Sequence, residues 1–169
     1  MEVYLYMLFF AISFYAINKL VYNKTVEQIL LFIMFLILFI VSAVRKHVGT
    51  DYGVYLNYYR GIEDRIYDGE GMEIGYFYLN KITKHLFDGE YTIFIITSLI
   101  IVGLVYLTIK RFSVDPLLST ILFMCIGLYM SSFNIIRQSI AIAFILYSYK
   151  YSETKFKWLI PILIAALFH

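Results

Sequence analysis

The placement of charge constrains this chain more than any other feature. Of its 26 charged residues (14 Lys and Arg, 12 Asp and Glu), 14 fall between Arg45 and Glu90, and the segments on either side carry long uncharged runs. Uncharged apolar runs near 18 residues read as membrane spans, because a helix satisfies its own backbone hydrogen bonds in lipid. Composition agrees: 62% of residues are hydrophobic and 15% charged, where a soluble domain carries about a quarter charged.

The pattern predicts an all-α fold, a polytopic transmembrane helical bundle of about six spans. Hydropathy places them at 2–18, 29–44, 91–109, 117–132, 134–149 and 157–168. Residues 1–169 read as a single transmembrane domain, with residues 45–90 as a polar, interfacial segment between the second and third spans. The first span lacks the basic start and small-residue cleavage site of a signal peptide and is expected to be retained. The last apolar run, Trp158 to His169, is 12 residues, about half of a ~30 Å hydrocarbon layer. On this reading the natural protein continues beyond it. Cys125 has no partner for an internal disulfide and reads as a small packing residue.

The polar segment holds seven of the nine glycines. Within it, Tyr52, Tyr55 and Tyr59 recur at helical spacing. From Glu73 to Phe87, Asn80, Lys81, Lys84, His85 and Asp88 share one face, and Ile74, Tyr78, Leu79, Ile82 and Leu86 the other. That is an amphipathic helix suited to a membrane surface.

Six crossings would sort the links onto two faces. Links 19–28, 110–116 and 150–157 share one; the N-terminus, the 45–90 segment, the 131–134 turn and His169 share the other. Each face holds seven Lys and Arg residues. The first packs its seven into three short loops, so the positive-inside rule predicts it to be cytoplasmic and the polar segment extracytoplasmic.

On that second face lie the residues that could carry chemistry. Asn134, Arg137, Gln138 and Ala141 recur at helical spacing and predict one polar stripe facing other helices or a cavity. Arginine near membrane depth marks a functional site by default; the alternative is a side chain snorkelling to the headgroups. In Arg45-Lys46-His47-Val48-Gly49-Thr50-Asp51-Tyr52, a span ends in two cations and a glycine turn, and Thr50 or Asp51 would cap the next helix. Its free amides, beside Arg45 and Lys46, suit an anion such as phosphate, although basic residues flanking a span are ordinary. The acids Asp51, Glu63, Asp64, Asp68, Glu70 and Glu73 share this face, and Asp51 and Glu73 each open a helix. The three histidines are too scattered for a metal site. No phosphate-binding loop or dinucleotide fingerprint is visible. With a net charge of +2 and no basic stripe, nucleic acid is not an expected partner, and no cofactor is expected.

These residues bring out a family resemblance. The run Arg45-x-x-Val48-Gly49-Thr50-Asp51-Tyr52-x-x-Tyr55 resembles the first signature of the EpsG family of bacterial exopolysaccharide and capsule synthesis, which is related to the Wzy-type O-antigen polymerases. Glu73-x-Gly75-Tyr76-x-x-Leu79-Asn80 is similar to its next segment, and Asn134-x-x-Arg137-Gln138-x-x-Ala141 to its most recognisable helix. Ala165-Ala166-Leu167-Phe168-His169 resembles the start of a phenylalanine-histidine motif. Members run on for several more helices, and later external loops contribute to the active site there, so the resemblance leaves open whether residues 1–169 act by themselves.

The resemblance implies a multi-pass protein of the bacterial cytoplasmic membrane. Its partners would be the lipid bilayer, an undecaprenyl-diphosphate-linked glycan and other polysaccharide assembly proteins. It implies polymerisation of lipid-linked repeat units at the outer leaflet, without a metal. Arg45 and Arg137 would grip the diphosphate, Asp51 or Glu73 would act as base, and His169 is a weaker base candidate. Lys46, Thr50, Tyr52, Tyr55, Asn134, Gln138 and His169 would contact substrate. A transporter of lipid-linked sugars is the first rival, but it needs polar residues at mid-membrane on several helices. An inactive, truncated membrane remnant is the second.

Overall fold

The computed structural model describes residues 2–69, 71–87 and 89–169, so the expectations placed on Glu70 and Asp88 lie outside the described residues. Every regular element among the described residues is helical. Three helices have the length and apolar character to cross a membrane: α1 (Glu2–Val21), α2 (Lys24–Ala43) and α5 (Thr92–Phe112). At about 1.5 Å per residue each measures about 30 Å, the thickness of the hydrocarbon layer. Their outer surfaces stay apolar and uncovered, with Leu5, Phe9, Phe32, Leu99 and Leu107 all exposed. Asn23 caps α2, its Oδ1 accepting from the Thr25 and Val26 amides at 2.8 and 3.4 Å.

The other apolar segments are shorter. The run expected to cross at 117–132 is interrupted: α6 (Pro116–Cys125) gives way at Gly127 to the single turn α7 (Leu128–Ser131). Gly127 stands at φ +83°, a left-handed conformation glycine adopts without strain. Asp115 caps α6 through the Leu118 amide (3.1 Å), with Pro116 in the first turn, where its missing N–H costs nothing. Then come α8 (Ile136–Ser148), which tightens into a 3-10 turn at Tyr149–Tyr151, and α9 (Leu159–Ala166). A count of six spans therefore rests on segments that are helical but broken or short.

Helices α2, α5, α8 and α9 pack in series, and α1 lies against α2 and α6. One apolar core gathers Met7, Leu31, Met34, Leu38, Val102 and Met124. Buried hydroxyls find partners: Ser42 and Ser98 share a hydrogen bond of 2.7 Å, and Thr97 donates to the Ile93 carbonyl at 2.8 Å. At one end of the bundle Lys19 pairs with Asp115 at 2.9 Å and Phe112 meets the Tyr149 ring at 4.9 Å.

The polar segment folds over the opposite end as α3 (Tyr52–Arg60) and α4 (Ile74–Leu86). Tyr52, Tyr55 and Tyr59 form one buried face of α3. Helix α4 has three faces rather than two. Tyr76, Phe77, Asn80 and Thr83 are buried against the protein, Ile74, Tyr78, Ile82 and Leu86 form an exposed apolar strip, and Lys81 and His85 are exposed. Asn80 was expected on the polar face and is instead fully buried, its Nδ2 donating to the Tyr76 carbonyl at 2.7 Å.

Candidate anion-binding site

Where the chain leaves α2, Arg45 turns inward. It is 7% exposed, and its guanidinium lies between the rings of Phe133 (4.5 Å) and Phe94 (5.2 Å). Its Nη1 reaches Ser42 Oγ only at 3.5 Å, and its Nε has no partner. No carboxylate among the described residues pairs with it; its electrostatic neighbours are the phenols of Tyr129, Tyr76, Tyr52 and Tyr55. Burial lowers this guanidinium to about 10, so it stays charged at neutral pH. A buried cation without a counter-charge is costly unless something pairs with it.

The next residues fix that geometry. Gly49 stands at φ +101°, and a Cβ there would lie 2.6 Å from Asn134 Oδ1. Asn134 Oδ1 accepts from the Thr50 amide at 2.8 Å and from the Thr50 hydroxyl at 3.4 Å. This junction across 84 residues locks the turn after α2 against the turn before α8. It also corrects two expectations. Asn134 lies before α8, so it is not part of a helical stripe. Asp51 precedes α3 without a side-chain cap, its Oδ1 accepting the Thr50 hydroxyl at 3.2 Å instead.

Aromatic rings wall the site. Tyr52 stacks on Phe94 at 4.7 Å, and Tyr55 meets Tyr76 edge-on at 5.6 Å. Among the described residues, the buried hydroxyls of Tyr52 and Tyr76 find no hydrogen-bond partner, and neither do Asn80 Oδ1 and Arg137 Nε. Burial pushes the phenols of Tyr52 and Tyr76 up, so both remain neutral, with an O–H to donate. Buried polar atoms normally find partners, and here five unpartnered ones come from Arg45, Tyr52, Tyr76, Asn80 and Arg137.

Arg137, in the first turn of α8, forms an ion pair with Glu73 at the start of α4. Both side chains are partly exposed, at 28% and 29%, and Tyr55 adjoins the same guanidinium. The second Glu73 oxygen faces His169 Nδ1 at 3.8 Å. The start of α4 is held by backbone contact: the Gly75 amide donates to the Leu167 carbonyl at 2.7 Å, and a Cβ on Gly75 would sit 2.6 Å from that oxygen. Gly75→Ala is therefore expected to push α4 off α9 at a cost of about 1–3 kcal/mol, seen as a lower midpoint of thermal unfolding in detergent.

The site thus joins residues from five separated parts of the chain. Arg45 and Arg137 both act electrostatically on Tyr55 and Tyr76. Thr50, Tyr52, Asn134, Glu73 and His169 adjoin them through the contacts above. Lys46 and Gln138 are exposed, and Lys46 lies over the Tyr91 ring at 5.0 Å. Sequence reasoning missed Tyr76, Asn80, Phe94 and Phe133. Tyr76 and Asn80 lie three and seven residues after Glu73, which was the available signal. No group of three His, Cys, Asp or Glu side chains among the described residues could hold a metal. The arrangement offers two cations, phenolic donors and a carboxylate at the rim. A model of the EpsG family matches residues 28–169. No curated protein and no solved structure matches.

Proposed function

Because the chain belongs to the EpsG family, we propose that it carries the polymerisation step of bacterial surface polysaccharide biosynthesis. It would join repeat units carried on undecaprenyl diphosphate at the outer leaflet of the cytoplasmic membrane. The family supports a polymerase role in surface polysaccharide synthesis, and the apolar helices support a membrane location. The observation that carries the finer reading is Arg45: a buried guanidinium with no carboxylate partner among the described residues, walled by phenols and linked to Arg137 through Tyr55 and Tyr76.

In the reaction, a sugar hydroxyl on one unit attacks the anomeric carbon of the growing chain. The bond from that carbon to the phosphate oxygen breaks, and the lipid diphosphate leaves with the electron pair. Arg137 meets the departing charge at the rim with a planar fork, the strongest geometry a side chain offers to phosphate. Arg45 stabilises the same charge from below, in surroundings where an electrostatic contact is worth more than in water. The hydroxyl proton goes to a carboxylate, Glu73 or Asp51. Thr50 and Asn134 hold the turn that carries Arg45, and Tyr52 and Tyr55 line the anion's seat. Lys46, Gln138 and His169 lie at the outer edge, within reach of headgroups and sugar.

A transporter of lipid-linked sugars would also use a broken helix such as the one at Gly127. That segment carries no charge from Pro116 to Ile136, so it offers diphosphate nothing to hold. Analysis of lipid-linked glycans with and without the gene tests the proposal. Loss of the gene is expected to abolish polymer and leave single repeat units on lipid. Polymer of unchanged length without the gene contradicts it.

A further inference from the structure

We infer that the cavity bordered by Tyr67, Gly69, Gly71, Glu73 and the end of α9 seats the acceptor sugar, with Glu73 taking the proton from its attacking hydroxyl. This deepens the polymerase reading above and rests on it. The cavity has a volume of about 380 Å³ and is lined by Tyr67, Gly69, Gly71, Glu73, Ala166 and Leu167 among others. That is within the range of sites for small molecules.

Its lining suits a carbohydrate. The Tyr67 ring is held against Phe77 at 5.4 Å and offers an apolar surface for the C–H face of a sugar. Gly69 and Gly71 stand at φ +83° and +80° and present no side chain to the cavity. Ala166 and Leu167 close the opposite wall.

Among the described residues that line the cavity, Glu73 also pairs with Arg137 of the anion site. Its Oε2 is held by Arg137. Among the described residues, its Oε1 has His169 nearby, at 3.8 Å, beyond hydrogen-bond distance. One carboxylate oxygen is thus fixed and the other is open to a hydroxyl. Asp51, the alternative base, is not among the described residues that line this cavity. Arg137 therefore sets base and leaving group side by side. The acceptor oxygen bonds to the anomeric carbon, its proton passes to Glu73 Oε1, and the diphosphate departs toward Arg137 and Arg45.

The test uses the protein in proteoliposomes with lipid-linked repeat units extracted from its host, and inorganic pyrophosphate as an independent probe of the anion site. Tyr67→Ala is expected to raise the repeat-unit concentration for half-maximal polymerisation about tenfold, the effect of one good contact, with pyrophosphate affinity unchanged. Glu73→Gln keeps the shape and an oxygen for Arg137. It is expected to slow polymerisation about 10²–10⁴-fold, the contribution of a general base, while still binding pyrophosphate. Wild-type concentration dependence in Tyr67→Ala, or wild-type rates in Glu73→Gln, would overturn the acceptor site while leaving the polymerase reading intact. Loss of pyrophosphate binding in either variant would also overturn it, because the cavity would then belong to the anion's seat. Wild-type protein that makes no polymer defeats the polymerase reading and this inference together.

Discussion

Cells carrying Arg137→Ala are expected to make no polymer and to accumulate single repeat units on lipid. On the proposed function, Arg137 would be the cation that an incoming diphosphate meets first, being partly exposed while Arg45 is buried. Removing one preorganised donor to a developing charge costs about 10²–10³ in rate, enough to empty a polymer ladder. Arg137→Lys keeps the charge and loses the planar fork, so it should also impair polymerisation. Both variants release Glu73 from its partner, so membrane abundance must be measured in parallel. Normal-length polymer in Arg137→Ala would refute the assigned role.

Arg45→Met separates function from stability. A buried arginine without a counter-charge is expensive to keep, and replacing buried ionic groups by apolar residues of similar volume is often neutral or stabilising by about 1–4 kcal/mol. Methionine can fill the slot between Phe94 and Phe133 that the arginine stem and guanidinium occupy. The variant is expected to unfold at the same temperature as wild type or higher, while polymer formation falls about a hundredfold or more. An arginine that only supports packing predicts the reverse, lower stability with activity kept in the protein that folds. Thermal unfolding in detergent and glycan chain length together decide between them.

Much of this was legible in the residues. Each apolar run became helical, because in a chain this poor in charge the period and the uncharged length leave little else. The tyrosines at 52, 55 and 59 announced α3 by spacing, and their shared face is buried. Arg137 and Glu73 stood out separately as a costly cation and a helix-opening acid, 64 residues apart. What spacing could not show was their ion pair, since nothing local links the two positions. The same holds for Asn134: its helical spacing to Arg137 suggested a stripe, but its amide oxygen is used by Thr50. Asn80 misled for a related reason. A polar residue beside lysines reads as solvated, yet its helix is covered by the bundle on that side and its Nδ2 bonds to its own backbone. The break at Gly127 was hidden because one glycine in an apolar run does not interrupt hydropathy; only its left-handed φ does. Gly75 belonged to a recognised motif, but its close approach to the Leu167 carbonyl is a tertiary fact.

Titration of the purified protein with inorganic pyrophosphate at fixed ionic strength tests most directly whether Arg45 and Arg137 serve one anion. Wild type should bind, and Arg45→Met and Arg137→Ala should each lose about tenfold or more in affinity. The double variant should lose less than the product of the two, as expected when both groups hold the same ligand. Equal affinity in the wild type and the double variant would contradict the account, and so would strictly multiplicative losses.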